Sequence, residues 1–148
     1  MNILKIYLDT SVIGGCFDKE FMVDSRKLIN QIEKELRIGV ISEITEAELK
    51  LAPEKVRNHF ESYREMLKVL KITSEVEELA ELYLKDKIVS SKYRSDSLHI
   101  ACSTVYKVDL LVSWNFKHIV NYDKIIKFNS VNLKNGYLPL QIYSPKEV

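Results

Sequence analysis

Cysteine is almost missing from this chain. Cys16 and Cys102 lie far apart with no C-x-x-C spacing, so a disulfide framework is excluded and two buried free thiols of a cytoplasmic protein are expected. Glycine and proline are scarce, at 4 and 3 residues, so little of the chain should be disordered. No apolar run approaches the roughly 20 residues of a membrane span. The start, MNILKIYLDT, lacks a basic segment followed by an apolar stretch and cleavage site, so no secretory leader is expected. No G-x-G-x-x-G follows the first apolar run, which disfavours a dinucleotide-binding domain. There is also no internal repeat, no low-complexity tract and no linker, so residues 1–148 read as one domain.

Charge of either sign is barely in excess, with a net of +1, but it is unevenly spread. Met1–Leu84 holds 12 Lys/Arg against 16 Asp/Glu, a balance of −4; Lys85–Val148 holds 10 against 5, a balance of +5. The second half is therefore the better candidate for facing a polyanion.

What the sequence does have is an opening stretch, Ile3 to Ile13, around which the rest is organised. Ile3, Leu4, Ile6, Tyr7 and Leu8 read as a strand buried on both faces, as in a parallel sheet. Asp9 ends that run, and Thr10 and Ser11 suit the turn into a short helix. A carboxylate at the C-terminal end of a parallel strand stands where such folds place their ligand sites.

Beyond Gly14-Gly15, Asp24 is expected to cap a helix running to about Arg37, with Leu28, Ile29, Ile32 and Leu36 inward and Gly39 ending it. Val40-Ile41 is a short strand, and Ile44 to Leu51 a short helix stopped by Pro53. Pro53 opens the next helix, whose seam is Val56, Phe60, Tyr63, Leu67 and Leu70. That seam is either plain core or the face of a homodimer. A strand at Val69–Ile72 precedes a helix with a Ser74/Glu77 capping box, with Val76, Leu79, Ala80, Tyr83 and Leu84 inward, running to about Val89. Ser90–Arg94 is a basic loop, Asp96–Tyr106 a helix, Asp109–Ser113 a turn and buried strand, Tyr122 to about Phe128 a helix and Leu138–Tyr143 a last strand. Strands alternating with helices predict a three-layer α/β/α fold with a central parallel sheet.

Four polar residues share one position in this pattern, just after a strand or early in the helix beyond it: Asp9, Glu48, Asp96 and Asn115. In a parallel sheet those ends lie on one edge, so the groups can converge. Singly, each has an ordinary reading: Asp9 and Asp96 as helix caps, Glu48 as a solvated helix residue, Asn115 as a turn residue. As a set they favour a site. Three carboxylates in one cleft repel one another unless a cation neutralises them, and oxygen ligands without a Cys or His cluster point to Mg²⁺ or Mn²⁺. Such a cation activates water against a phosphodiester.

With these residues placed, the chain resembles the PIN-domain ribonucleases, and especially the VapC-like toxins of type II toxin–antitoxin pairs. The resemblance is carried by YLDTSV around Asp9, ISEITEAEL with Glu48, SDSLHIA with Asp96 and His99, and LLVSWNFKHI around Asn115, in the family's order and spacing. It implies a metal-dependent endoribonuclease that hydrolyses RNA, with Asp9, Glu48 and Asp96 as metal ligands. Asn115 stands where many members carry a second Asp. It also implies a small antitoxin protein as partner, able to block the acidic cleft with a basic side chain.

Thr10 or Ser11 could hold a metal-bound water or a phosphate, and Lys92, Arg94 and Lys117 flank the expected cleft as phosphate contacts. His99 falls one turn after Asp96 on the same helix face, beside the site or in the core; His59 and His118 read as surface residues. Trp114 stacks on a base or packs. The rival reading is a non-catalytic RNA-binding or protein-interaction module on the same fold. A receiver-like phosphoacceptor lacks its acidic pair and its later lysine.

Overall fold

The computed structural model of the protein describes residues 2–148; Met1 lies outside the described residues. Its centre is strand β1 (Lys5–Leu8), whose Ile6 and Leu8 face one layer of helices while Tyr7 faces the other. All three side chains are fully buried, as the apolar run requires. The parallel sheet is completed by β2 (Ile38–Ser42), β3 (Lys68–Leu70), β4 (Leu110–Val112) and β5 (Ile142–Tyr143), in the order β3-β2-β1-β4-β5. From β1 the chain winds outward through β2 and β3 on one side, and later through β4 and β5 on the other. The order therefore reverses between β1 and β4, and a crevice opens beyond their carboxyl ends.

One layer holds α1 (Thr10–Gly14), α2 (Met22–Glu33) and α4 (Glu54–Glu61), joined to the sheet through Ile13, Leu28, Ile32, Val56 and Phe60. The other holds α5 (Ser74–Lys85), α6 (Arg94–Val105) and α7 (Tyr122–Lys134), through Leu79, Tyr83, Ile100 and Phe128. The short helix α3 (Glu43–Leu49) follows β2 directly and gives Leu49 to one layer and Ile44 to the other. The three-layer fold and its parallel sheet are as the alternating pattern requires. Both cysteines are buried free thiols.

Several boundaries differ, each for a local reason. α2 starts at Met22 rather than behind Asp24, because the Asp18 carbonyl accepts from the Phe21 and Met22 amides at 3.1 and 2.8 Å and draws the chain into the turn three residues early. It ends at Glu33, with Glu35 at φ 60, so Leu36 is left 54% exposed instead of joining the inward stripe. Gly39 does not end the helix; it is paired within β2, where a Cβ would stand 2.5 Å from Leu67 Cδ2 and 2.9 Å from Ile32 Cδ1. α5 is capped by Thr73, whose hydroxyl accepts from the Val76 amide at 3.3 Å, and not by Ser74. Its C-terminus comes before Val89, since Lys87 takes φ 56. α7 runs six residues past Phe128, to Lys134, and the last strand shrinks to Ile142–Tyr143.

The Val56–Leu70 seam is not one helix. It crosses α4, a 3₁₀ turn (Arg64–Met66) and β3, and its Val56, Phe60, Tyr63 and Leu67 are all buried in this chain's own core. The homodimer expectation therefore loses its surface. Phe60→Ala should lower stability by about 3–5 kcal/mol through the cavity it leaves. Its urea midpoint should not vary with protein concentration. A midpoint that rises with concentration would return the seam to an interface.

Candidate active site at the carboxyl edge of the sheet

Asp9 follows β1 and is held there by its own amide, which donates to the Val112 carbonyl of β4 at 3.0 Å. Because Leu8 pairs with Val112, the next residue of β4's chain, Ser113, falls beside Asp9. Its hydroxyl donates to Asp9 Oδ2 at 2.8 Å, and the Ser11 hydroxyl donates to the same oxygen at 2.7 Å. Ser11 in turn accepts from the Trp114 amide at 2.9 Å. The hydroxyl of Ser11 is thus engaged in orienting Asp9.

Glu48 projects from the last turn of α3. Its Oε1 accepts from Thr10 Oγ1 at 2.7 Å and from His99 Nε2 at 2.6 Å. His99, fully buried on α6, also faces Asp9 Oδ1 at 3.4 Å, while its Nδ1 meets the Tyr7 hydroxyl at 2.6 Å. Asp96 lies one turn before His99 on α6. The Asn115 side-chain amide reaches Asp96 Oδ2 at 3.4 Å.

The electrostatics follow from this crowding. Burial, then the nearby charge of Asp9, pushes the Asp96 carboxyl up from 3.8 to about 6. Burial works the same way on Glu48 but is outweighed by the His99 hydrogen bond and charge and by Thr10, so its carboxyl is lowered. The partner shift agrees: burial would lower His99, yet Glu48 and Asp9 raise it. Burial raises Tyr7 well above the usual phenol range, so its hydroxyl stays neutral.

The carboxylates share one pattern. Asp9 is pinned by Oδ2, Glu48 by Oε1 and Asp96 by Oδ2. Among the described residues, none hydrogen-bonds Glu48 Oε2 or Asp96 Oδ1, and Asp9 Oδ1 faces His99 Nε2 at 3.4 Å. Three single oxygens are therefore left over, a donor set suited to a hard divalent cation. Among the described residues no three His, Cys, Asp or Glu side chains form a ready-made metal cage.

The four residues singled out by position thus come together, from β1, α3, α6 and the turn after β4. Asn115 has a double role. Its Oδ1 accepts from the Lys117 and His118 amides at 3.2 and 2.9 Å, closing a turn, so only its amide nitrogen faces the cleft. The flanking cations are dispersed. Arg94 pairs with Glu81 on α5, Lys92 lies over the Tyr93 ring at 5.6 Å, and Lys117 is exposed. Trp114 packs: it stacks on Phe21 at 4.2 Å and donates to Ser25 at 2.8 Å. His118 is half-buried against Tyr93, and His59 half-buried between Phe17 and Tyr63.

Three participants were not picked out from the sequence: Tyr7, Ser113, and Ser42, whose hydroxyl lies 2.7 Å from that of Tyr7. Ser113 had a signal, being the polar residue that ends a buried strand just as Asp9 does. Tyr7 was the one phenol in an aliphatic strand.

No family model matches the chain, and neither does any curated protein. Solved structures share its fold. VapBC2 from Rickettsia felis bound to a DNA fragment from its promoter matches at 16% identity and TM-score 0.61, over 95% of this chain and 98% of that one. A toxin–antitoxin complex from Klebsiella pneumoniae matches at 14% and 0.61, over 80% and 93%. DNA-bound VapBC from Salmonella typhimurium matches at 19% and 0.60, over 97% and 99%. At such identities the likeness shows a common fold, the one the motif resemblance implied.

The raised carboxyl of Asp96 makes a further point about stability. An acid whose folded value lies above its unfolded value weakens the fold as pH rises from about 4 to about 6, and the penalty is complete above that. In EDTA at pH 7, Asp96→Asn should therefore stabilise the protein by roughly 1–2 kcal/mol, after discounting for partial solvent screening. Below pH 4 the difference should close. Thermal melts at both pH values check this, and an Asn variant less stable at pH 7 would contradict it.

Proposed function

We propose that the protein is a metal-dependent endoribonuclease, acting as the toxin of a toxin–antitoxin pair. The observation that carries this is the convergence of Asp9, Glu48 and Asp96 at the sheet's reversal point, each with one oxygen fixed and one left over. In this reading those three left-over oxygens hold Mg²⁺ or Mn²⁺. The bound cation would polarise a phosphoryl oxygen and lower the pKa of a bound water. The fold shared with toxin–antitoxin complexes and the four motifs in register support the same assignment.

The chain's own residues supply position and charge. Ser11 and Ser113 hold Asp9; Thr10 and His99 hold Glu48. The Asn115 amide nitrogen has a second hydrogen available to orient the attacking water or a non-bridging oxygen. Lys92 and Lys117, both exposed, contact phosphates and position RNA without reading its sequence. Arg94 joins them only on leaving Glu81, a small cost for an exposed pair. No covalent enzyme intermediate is involved. The antitoxin would block this cleft. A groove of about 260 Å³ lies beside it, lined by Thr10, Phe17, Leu49 and Val56 with Asp18 and Lys55 at its walls.

The test is cleavage of a mixed-sequence fluorescent RNA in Mn²⁺, Mg²⁺ or EDTA. Wild type should cut only with metal and Asp96→Asn should not cut. Asp9→Asn should lose on the order of 10² or more in rate with its fold intact, since it removes charge where the metal would stabilise the transition state. Cutting at the wild-type rate by Asp9→Asn would sink the mechanism. RNA retention without cleavage, indifferent to metal and to Asp9, would make the chain a binding module on this fold.

A further inference from the structure

The least ordinary feature of the site is a closed ring of hydrogen bonds behind it. It begins and ends on α3. At the N-cap of α3, Ser42 Oγ accepts from the Ile44 amide at 3.2 Å and lies 2.7 Å from the Tyr7 hydroxyl. Tyr7 reaches His99 Nδ1 at 2.6 Å, and His99 Nε2 reaches Glu48 Oε1 at 2.6 Å, in the last turn of the same helix. One direction of donation satisfies every member: the Ile44 amide to Ser42, Ser42 to Tyr7, Tyr7 to Nδ1, and Nε2–H to Glu48. The ring ties together β1, which leads directly into Asp9, with α3 and α6, which carry Glu48 and Asp96.

A histidine buried for packing alone would satisfy its nitrogens on backbone or on structural side chains. Here both nitrogens are spent within this ring, and Nε2 also faces Asp9 Oδ1 at 3.4 Å. We infer that His99 is a positioning residue: anchored from behind by Tyr7 and Ser42, it fixes Glu48 by Oε1, leaves Oε2 as its one ligating oxygen, and so makes the site select a small six-coordinate cation over Ca²⁺. The inference rests on the metal site proposed above. Its chemistry is simple. Ca²⁺ takes six to eight oxygens and favours carboxylates that bind through both, whereas Mg²⁺ takes six in an octahedron and keeps several waters. A glutamate with one oxygen already held by two donors can offer only the other.

The experiment is calorimetric titration of the folded, metal-free protein with Mg²⁺ and with Ca²⁺, with no RNA present. The wild type should bind Mg²⁺ with a clear preference over Ca²⁺. His99→Leu frees Oε1 from its stronger donor, and the ratio of Ca²⁺ to Mg²⁺ dissociation constants should fall about tenfold, in the range of effects that outer-shell partners have on metal sites. His99→Gln places an amide N–H at the reach of Nε2 and should restore most of the preference. Tyr7→Phe keeps the packing and removes only the anchor, so it should give an intermediate loss, and it carries the test if the Leu variant does not fold. A ratio unchanged in both His99→Leu and Tyr7→Phe, with only the melting temperature lowered, would overturn the inference and leave His99 a core residue. A wild type that binds neither cation would instead overturn the metal site itself.

Discussion

The mutual repulsion of three carboxylates drawn to one edge of a sheet is the constraint around which this molecule is built. Asp9 follows β1 directly, Glu48 comes from the last turn of α3 and Asp96 from the first turn of α6, and the packing of these elements brings all three to the carboxyl edge of the sheet whether or not a counter-charge is there to receive them. The protein meets the repulsion locally. Two serines serve Asp9, a threonine and a histidine serve Glu48, and an amide serves Asp96. The cost that remains shows in the carboxyl of Asp96, raised first by its burial and then by the charge of Asp9. Binding sites commonly keep such unfavourable charge because function needs it, and the large cores on both faces of the sheet supply the surplus stability.

Much of this was legible in the residue pattern. The nearly continuous apolar run before Asp9 is what a strand covered on both sides requires at Ile6–Leu8, while Ile3 and Leu4 lie ahead of β1 and are exposed; the partner runs at Val40-Ile41 and Leu110–Val112 said the same. Position relative to those runs was enough to pick out Asp9, Glu48, Asp96 and Asn115 as one group. Helix ends were harder to read. Asp24 and Ser74 are good capping residues by type, but a backbone carbonyl at Asp18 and a hydroxyl at Thr73 reach the free amides first. Gly39 looked like a stop because glycine so often is one. Its actual constraint, the closeness of Ile32 and Leu67, depends on how α2 and the chain before β3 pack on the sheet, which the local pattern around Gly39 does not show.

The interior polar residues were the least legible. Helix α6 is buried on nearly every face, with Ser97, His99, Ser103 and Thr104 inside beside Ile100 and Cys102, so it lacks the one-sided apolar stripe that marks a surface helix. Ser103 and Thr104 satisfy themselves by donating to carbonyls one turn back, each at 2.9 Å, and have no need of a site. His99 differs only in what lies opposite it, and that depends on Tyr7 and Glu48, which are far away along the chain. Periodicity cannot see such a relation; only the closed fold brings its members together.

The packing of Trp114 has an optical consequence. It is the chain's one tryptophan, and its ring lies flat against Phe21 and donates to Ser25 in a nearly water-free setting. Its amide hangs from the Ser11 hydroxyl, which hangs from Asp9. The molecule therefore carries a single built-in fluorophore, wired through two hydrogen bonds to the carboxylate at the heart of the cleft. The backbone of that fluorophore is thus tied to the residue at the heart of the cleft, which puts a label-free optical reporter two hydrogen bonds from Asp9.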